Sequence, residues 1–458
     1  MKRMRILASV ILVVAFLLPT MVSAQGAGIT WNSGFQVQNL ENAQASINIM
    51  YYDQTGAAVI SGGVDDTIPA LGSKTYYPIH PSGTFNGSVV ISSDKQVVAI
   101  ANLLASGTVN AASATNSFSA GAMTVNLPLI MRGNYGFNTW FNVQNTSTTS
   151  STNVTVTYYP GSAGNSGVTD TASIPAGAAH TFDQETKTEL GSMFVGSAVV
   201  TSSSQPIVAT VEQVGSTASF MVLMGYNGFV AGSTTVNLPL VMAKNYGFYT
   251  GIQCQNGGTG STTITVDYGP NTVGAWMPTD DSAPVAAGAS YTFLQLGGQW
   301  TSTYVGSATV TSTPAQSLMC IVNQVLPGAT APDPDFGTAY EGFDPTTATS
   351  KASAPLVMAQ NYGYYTGIQV QNVSGANPCN VTVTYSANTV PGMGTPTPES
   401  ASIPLGASHT FLQLGGQWTG RYVGSASITG SGCSIVAIVN EFLPGGSDQF
   451  FTYNAFNY

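Results

Sequence analysis

The chain holds three imidazoles in 458 residues, His80, His180 and His409. His180 and His409 each stand just before Thr-Phe, and the matching places elsewhere hold Lys74 and Tyr291. A place that accepts His, Lys or Tyr suits a solvent-facing side chain better than a base or a ligand. No H-E-x-x-H, G-x-S-x-G, phosphate loop or paired-cysteine zinc spacing occurs. Asp65-Asp66, Asp280-Asp281 and Asp333-Pro334-Asp335 are carboxylates in loops that could hold a structural Ca²⁺. None has the full ligand spacing of a calcium loop, and solvated acidic turns explain them as well. The chain therefore reads as a non-enzyme, with no catalytic or metal-ligating residue and no cofactor beyond that calcium.

Aromatic residues offer a second kind of chemistry. The string F-L-Q-L-G-G-Q-W-T is identical at Phe293–Thr301 and Phe411–Thr419, so Trp300 and Trp418 fall in Gly-rich loops. Tyr246 and Tyr362 belong to a recurring N-Y-G-[FY] string. Such rings on a polar β-surface could stack on sugar faces; pinning a loop to the core is the competing role. The four cysteines divide into two pairs, Cys254 with Cys320 and Cys379 with Cys433. Cys254 replaces a recurring Val and Cys320 a recurring Ala, both on inward phases, while Cys379 and Cys433 each precede an inward residue by two. Each pair is expected to bridge strands of its own unit. Loops of 66 and 54 residues closed in this way contribute roughly 4 kcal/mol each in the chain-entropy account. Four buried free thiols are the alternative.

The elements that carry these residues come in four copies. V-Q-N recurs at Val37, Val143 and Val370, with Cys254-Gln255-Asn256 in the same role. G-S-[AV]-x-[VI] starts at Gly87, Gly196, Gly306 and Gly424. Each copy closes on [YT]-[NE]-[GSA]-F, ending at Phe118, Phe229, Phe343 and Phe456, at spacings of 111, 114 and 113 residues. Such a period is a whole domain, not a solenoid repeat. Within a copy apolar residues alternate with Thr or Gln, as in Val154-Thr155-Val156-Thr157-Tyr158, which is the pattern of half-buried antiparallel strands. About seven short strands between Gly, Pro and Ser turns predict an immunoglobulin-like β-sandwich, repeated in tandem. The units are 25–119, 124–230, 234–343 and 353–458, after a leader at 1–24. A transmembrane barrel is the competing all-β reading.

The leader has the form of a secretory signal: Lys2, Arg3 and Arg5, then Ile6–Leu18, then Val22-Ser23-Ala24. An uncleaved anchor is its rival, although the apolar stretch is short for a bilayer span, and no second such stretch follows. Only 7% of residues are charged and the net charge is −10. An acidic chain with so few cations does not fit nucleic acid. A surface of Ser, Thr, Asn, Gln, Gly and Tyr is solvated without being repulsive and tolerates close contact with copies of itself.

Taken together, Y-N-G-F, L-P-L-V-M and N-Y-G-[FY]-x-T-G-[IF]-Q-V-Q-N resemble a repeat of exported surface proteins from filamentous Chloroflexi-type bacteria, over nearly all of residues 25–458. The resemblance implies an extracellular β-domain array and brings no activity or functional residues with it. Units two to four open with Leu127–Met131, Leu238–Met242 and Pro355–Met358, whereas unit one has no such strand. That asymmetry suggests joining head to tail. The tail Phe450, Phe451, Tyr453, Phe456 and Tyr458 of one subunit would fill the edge of unit one in the next, making open filaments. The expected function is a self-associating structural protein of a surface fibre, sheath or S-layer-like lattice outside the cell. An adhesin or carbohydrate-binding array using Trp300, Trp418, Tyr246 and Tyr362 is the alternative. The expected partners are the chain itself and, on that alternative, a cell-surface glycan.

Overall fold

A computed structural model describes residues 10–14, 29–79, 85–107, 110–216, 221–327, 334–444 and 448–458. Most of the leader, His80 and Asp333 lie outside the described residues. The rest is β-structure. Two single 3-10 turns, Thr188–Leu190 and Pro345–Thr347, are the helical elements among the described residues.

Repeat 2 shows the plan. Its first sheet runs in the order Thr169–Ile174, Thr152–Ala163, Phe194–Ser202, Thr124–Arg132. The second runs Ala179–Asp183, Phe137–Asn145, Ile207–Ser216, Met221–Asn227. Repeat 2 is thus an eight-stranded sandwich, one strand more than the sequence suggests, because the closing motif forms its own strand. Period-two alternation places Val154, Val156 and Tyr158 between the sheets, with Phe141, Val143, Ala209 and Val211 facing them. Repeat 3 repeats the same order. In repeat 4, Tyr365–Tyr385 and Tyr422–Phe442 are each long enough to pass through both sheets, which merges them into one seven-stranded sheet.

Recurring polar residues hold each sandwich in register. The Asn of V-Q-N staples its strand to the turn before the aromatic strand. Asn145 Nδ2 donates to the carbonyls of Ser150, Ile174 and Pro175, and its Oδ1 accepts from Ser147 N–H. Asn39 and Asn256 make the corresponding bonds. A second buried chain crosses between the sheets. Thr250 Oγ1 bonds Met242, Gln295 bonds both Thr250 and the Tyr268 hydroxyl, and Tyr268 donates to Asp281. Repeats 2 and 4 contain the same chain through Thr139, Gln184 and Tyr158, and through Thr366, Gln413 and Tyr385.

The four sandwiches do not form an open string. Their closing strands Ala111–Asn116, Met221–Asn227, Pro334–Glu341 and Phe450–Asn454 pack in a cycle, first on second, second on third, third on fourth and fourth on first. The array closes into a ring with pseudo-fourfold repetition.

The described residues of repeat 1 supply no opening strand of their own, but, contrary to expectation, its edge is not left unpaired. The edge of Gly87–Ser93 that matches the opening-strand site is paired, antiparallel, with Val10–Val14 of the apolar leader. The tail has a different place from the one expected. Phe450–Asn454 pairs with the long strand of its own repeat, and Phe456–Asn457 pairs with the opening strand Lys351–Ala359. Phe450, Phe451 and Tyr453 are buried there. These residues complete repeat 4 and are not a free strand for another subunit.

Candidate functional site

The residues that carry the repeat signature meet at the junctions between sandwiches, and the ring is built from them. At its centre each closing motif contributes one side chain to the backbone of the repeat before it. Asn227 Nδ2 donates to the Asn116 carbonyl (2.7 Å) and its Oδ1 accepts Asn116 N–H (3.1 Å). Asn454 does the same to Glu341, at 2.7 and 3.2 Å. Asn116 does the same to Asn454, at 2.6 and 2.9 Å, which closes the circle. In repeat 3 the position is Glu341. Its carboxyl accepts Asn227 N–H, and that junction has one bond of this kind instead of two.

One step outward, paired amides join neighbouring long strands. Gln213 and Asn323 exchange two bonds across the second junction, and Gln324 and Asn440 exchange two across the third. At the first junction Glu212 takes the hydroxyl of Ser113, and at the fourth Glu441 takes the amide of Asn102 at 3.5 Å. Burial pushes the Glu212 carboxyl up to about 8 and raises Glu441 well above the usual range. Asp448, also raised by burial, accepts N–H from Leu223 (3.0 Å) and Gly337 (2.9 Å), so one carboxyl of repeat 4 ties repeats 2 and 3.

The V-Q-N strand is buried on both faces, not half-buried as its alternation suggests. Its first glutamine faces the preceding repeat. Gln253 Nε2 reaches the Pro128 carbonyl, Gln369 reaches Pro239, and Gln36 reaches Pro355 across the ring closure. The hydroxyls of Ser88 and Ser197 add bonds to the carbonyls of Gly177 and Gly288 in the following repeat, both at 2.6 Å, and Ser307 bonds Gly406 likewise.

The first junction departs from this scheme at three places, all consistent with the strand that repeat 1 lacks. The glutamine becomes the shorter Asn142, which accepts from Thr181. The Tyr whose hydroxyl grips the opening strand, as Tyr226 grips Leu129 and Tyr340 grips Leu240, becomes Thr115. The glycine found at 34, 251 and 367 becomes Trp140.

Exposed aromatics cluster on the N-Y-G hairpins. Asn245 and Phe248 exchange backbone bonds, with Tyr246 at φ 51° and Gly247 at φ 89°, the conformation of a primed two-residue turn. This turn points the tyrosine outward. Tyr246 is 93% and Tyr362 80% exposed, and the Arg421 guanidinium lies 4.2 Å over the Tyr362 ring. Trp300 and Trp418 go the other way, at 4% and 3% exposure. The Gly-Gly turn folds each indole back under the loop, edge-on to Tyr268 and Tyr304 or to Tyr385 and Tyr422. They are core residues and cannot stack on a ligand.

The cysteines pair as expected, Cys254 with Cys320 and Cys379 with Cys433. The first pair joins directly opposed residues of adjacent strands within one sheet, unlike the bridge between sheets of an immunoglobulin domain. His180 lies against Phe182, and burial lowers its basicity. Of the carboxylates expected in loops, Asp65 and Asp66 lie within the strand Val64–Ile68, and Asp281 starts the strand Asp281–Val285. They are engaged locally, Asp66 by Lys74 and Tyr76, and Asp281 by Tyr268 and Gln299. Among the described residues no helix is long and apolar enough to cross a membrane. No family model matches this chain, and no curated protein or solved structure matches it.

Proposed function

We propose that this protein is a structural unit of the cell exterior, a rigid ring that associates with copies of itself into a fibre, sheath or S-layer-like lattice. The observation that carries this reading is ring closure through Asn116, Asn227, Glu341 and Asn454. The closing motifs spend their polar groups on each other, and the chain is left with a stiff body whose charged residues are only 7% of the total. The net charge of −10 is carried by few groups, and physiological salt screens it beyond about 8 Å. Two disulfides suit an oxidising space outside the cell. The tail is occupied within repeat 4, so joining falls to the backbone edge of Gly87–Ser93. Removal of the leader would leave that edge open to an extended segment of a neighbour. Electron microscopy of the purified, processed chain tests this. Ordered polymers without added ligand are the expected result, and single rings at every concentration would refute it.

An adhesin or carbohydrate-binding role is the second reading, favoured by the outward Tyr246 and Tyr362 rings. Glycan-array binding abolished by Tyr246→Ala with Tyr362→Ala would select it over the first.

A further inference from the structure

Between repeats 3 and 4 the ring carries an open groove of about 360 Å³. One wall is Leu240, Met242 and Phe248, the other Leu412 and Leu414, and Tyr246 forms part of the rim. Leu412 and Leu414 are each 50% exposed on either side of the buried Gln413. Polar groups at the base are already paired, Gln324 with Asn440, and Gln369 with Pro239 and Ser408. None of the residues lining the groove is charged. Water there finds few partners, a sugar would leave its hydroxyls unmatched, and an apolar ligand gains by displacing that water.

The repeats themselves indicate the shape of the ligand. Gly367 lies in the groove and corresponds in register to Trp140 of repeat 2. A Cβ at Gly367 would meet only Leu412 Cδ1 at 3.6 Å and Thr410 Cγ2 at 3.9 Å, ordinary contacts, so the backbone admits a side chain there. At the first junction the chain supplies that group from its own sequence. Trp140 is buried, and its ring N–H has no hydrogen-bond partner. A flat apolar ring can therefore occupy this face of the strand without a polar anchor. We propose that the groove between repeats 3 and 4 binds a small, uncharged, planar aromatic molecule of one or two rings, where repeat 2 carries its own indole. This site is independent of the self-association proposed above.

The test is fluorescence titration of the full processed chain with 1-aminonaphthalene, a planar two-ring probe that is neutral at pH 7. One saturable site per chain is expected. Gly367→Trp, which fills the groove from within, should weaken binding at least about tenfold, while Gly251→Trp at the preceding junction should leave it unchanged. Leu414→Asn alters only the exposed wall and should also weaken binding, which decides the matter if Gly367→Trp does not fold. Wild-type affinity in both groove variants overturns the proposal, as does binding of more than one probe per chain. Affinity that falls as sedimentation shows chains associating also overturns it, because a second copy would then be filling the groove.

Discussion

Asn116 and Asn454, 338 residues apart in sequence, are joined by two hydrogen bonds, side-chain amide to carbonyl at 2.6 Å and N–H to side-chain oxygen at 2.9 Å. The pair turns four sandwiches into a ring. Asn116→Asp keeps the size and the acceptor but removes the donor to the Asn454 carbonyl, leaving a part-buried group unmatched. A loss of about 1 kcal/mol is expected, read as a lower urea midpoint and faster proteolysis between repeats. An unchanged midpoint and digestion pattern would show that closure does not depend on this pair.

Glu341 occupies the same position in repeat 3, and its titration gives the ring a pH dependence. Burial pushes its carboxyl up to about 7, against the Asn227 N–H that pulls it down. A carboxyl raised in the folded state contributes stability that is full below its unfolded value. That contribution fades as pH rises through the folded value. Glu212, pushed up to about 8, acts in the same direction. The thermal midpoint should fall between about pH 5 and about pH 9. Each contributes from its unfolded value to its folded one. Glu341→Gln, which supplies the donor that its three counterparts have, should therefore shallow the fall up to about pH 7, and Glu212→Gln should shallow it up to about pH 8. Glu441 and Asp448, also raised by burial, keep part of the slope. A double variant that keeps the wild-type slope would refute this account.

The elements were legible because their causes are local. Val154, Val156 and Tyr158 alternate with threonines, and Pro- and Gly-rich turns bound them, so their strands could be read one by one. The cysteine pairs followed from positions that hold Val and Ala elsewhere. The site was less legible. Gln36 and Gln253 look like solvent-facing residues, since their partners, Pro355 and Pro128, belong to other sandwiches. Trp300 sits in a glycine-rich loop like an exposed ring, yet the turn at Gly297 and Gly298 returns it to the core. One signal for the ring was present in the sequence: Thr115, Asn142 and Trp140 all break the repeat pattern beside the strand that repeat 1 lacks.

Tyr246 holds a left-handed backbone at φ 51° with its ring 93% exposed, so it spends conformational energy without gaining burial. Asn tolerates this region better than a bulky ring does. Tyr246→Asn should therefore stabilise the protein by roughly 0.5–1 kcal/mol, seen in chemical denaturation, while removing part of the groove rim and weakening aromatic-probe binding. A destabilised variant would mean that the ring makes contacts that offset the strain.

Cys254 faces Cys320 where repeats 1 and 2 pair Val37 with Ala99 and Val143 with Ala209. The double change Cys254→Val with Cys320→Ala therefore substitutes a pair that this fold already packs, and it removes the crosslink without leaving a void. What remains is the chain-entropy cost of freeing a 66-residue loop, about 4 kcal/mol at most. The variant should fold with the same strands and unfold at lower denaturant, whereas Cys254→Ala with Cys320→Ala should lose more by adding a cavity. Equal losses in the two variants would show that packing at this position contributes nothing, and that the covalent bond alone stabilises repeat 3.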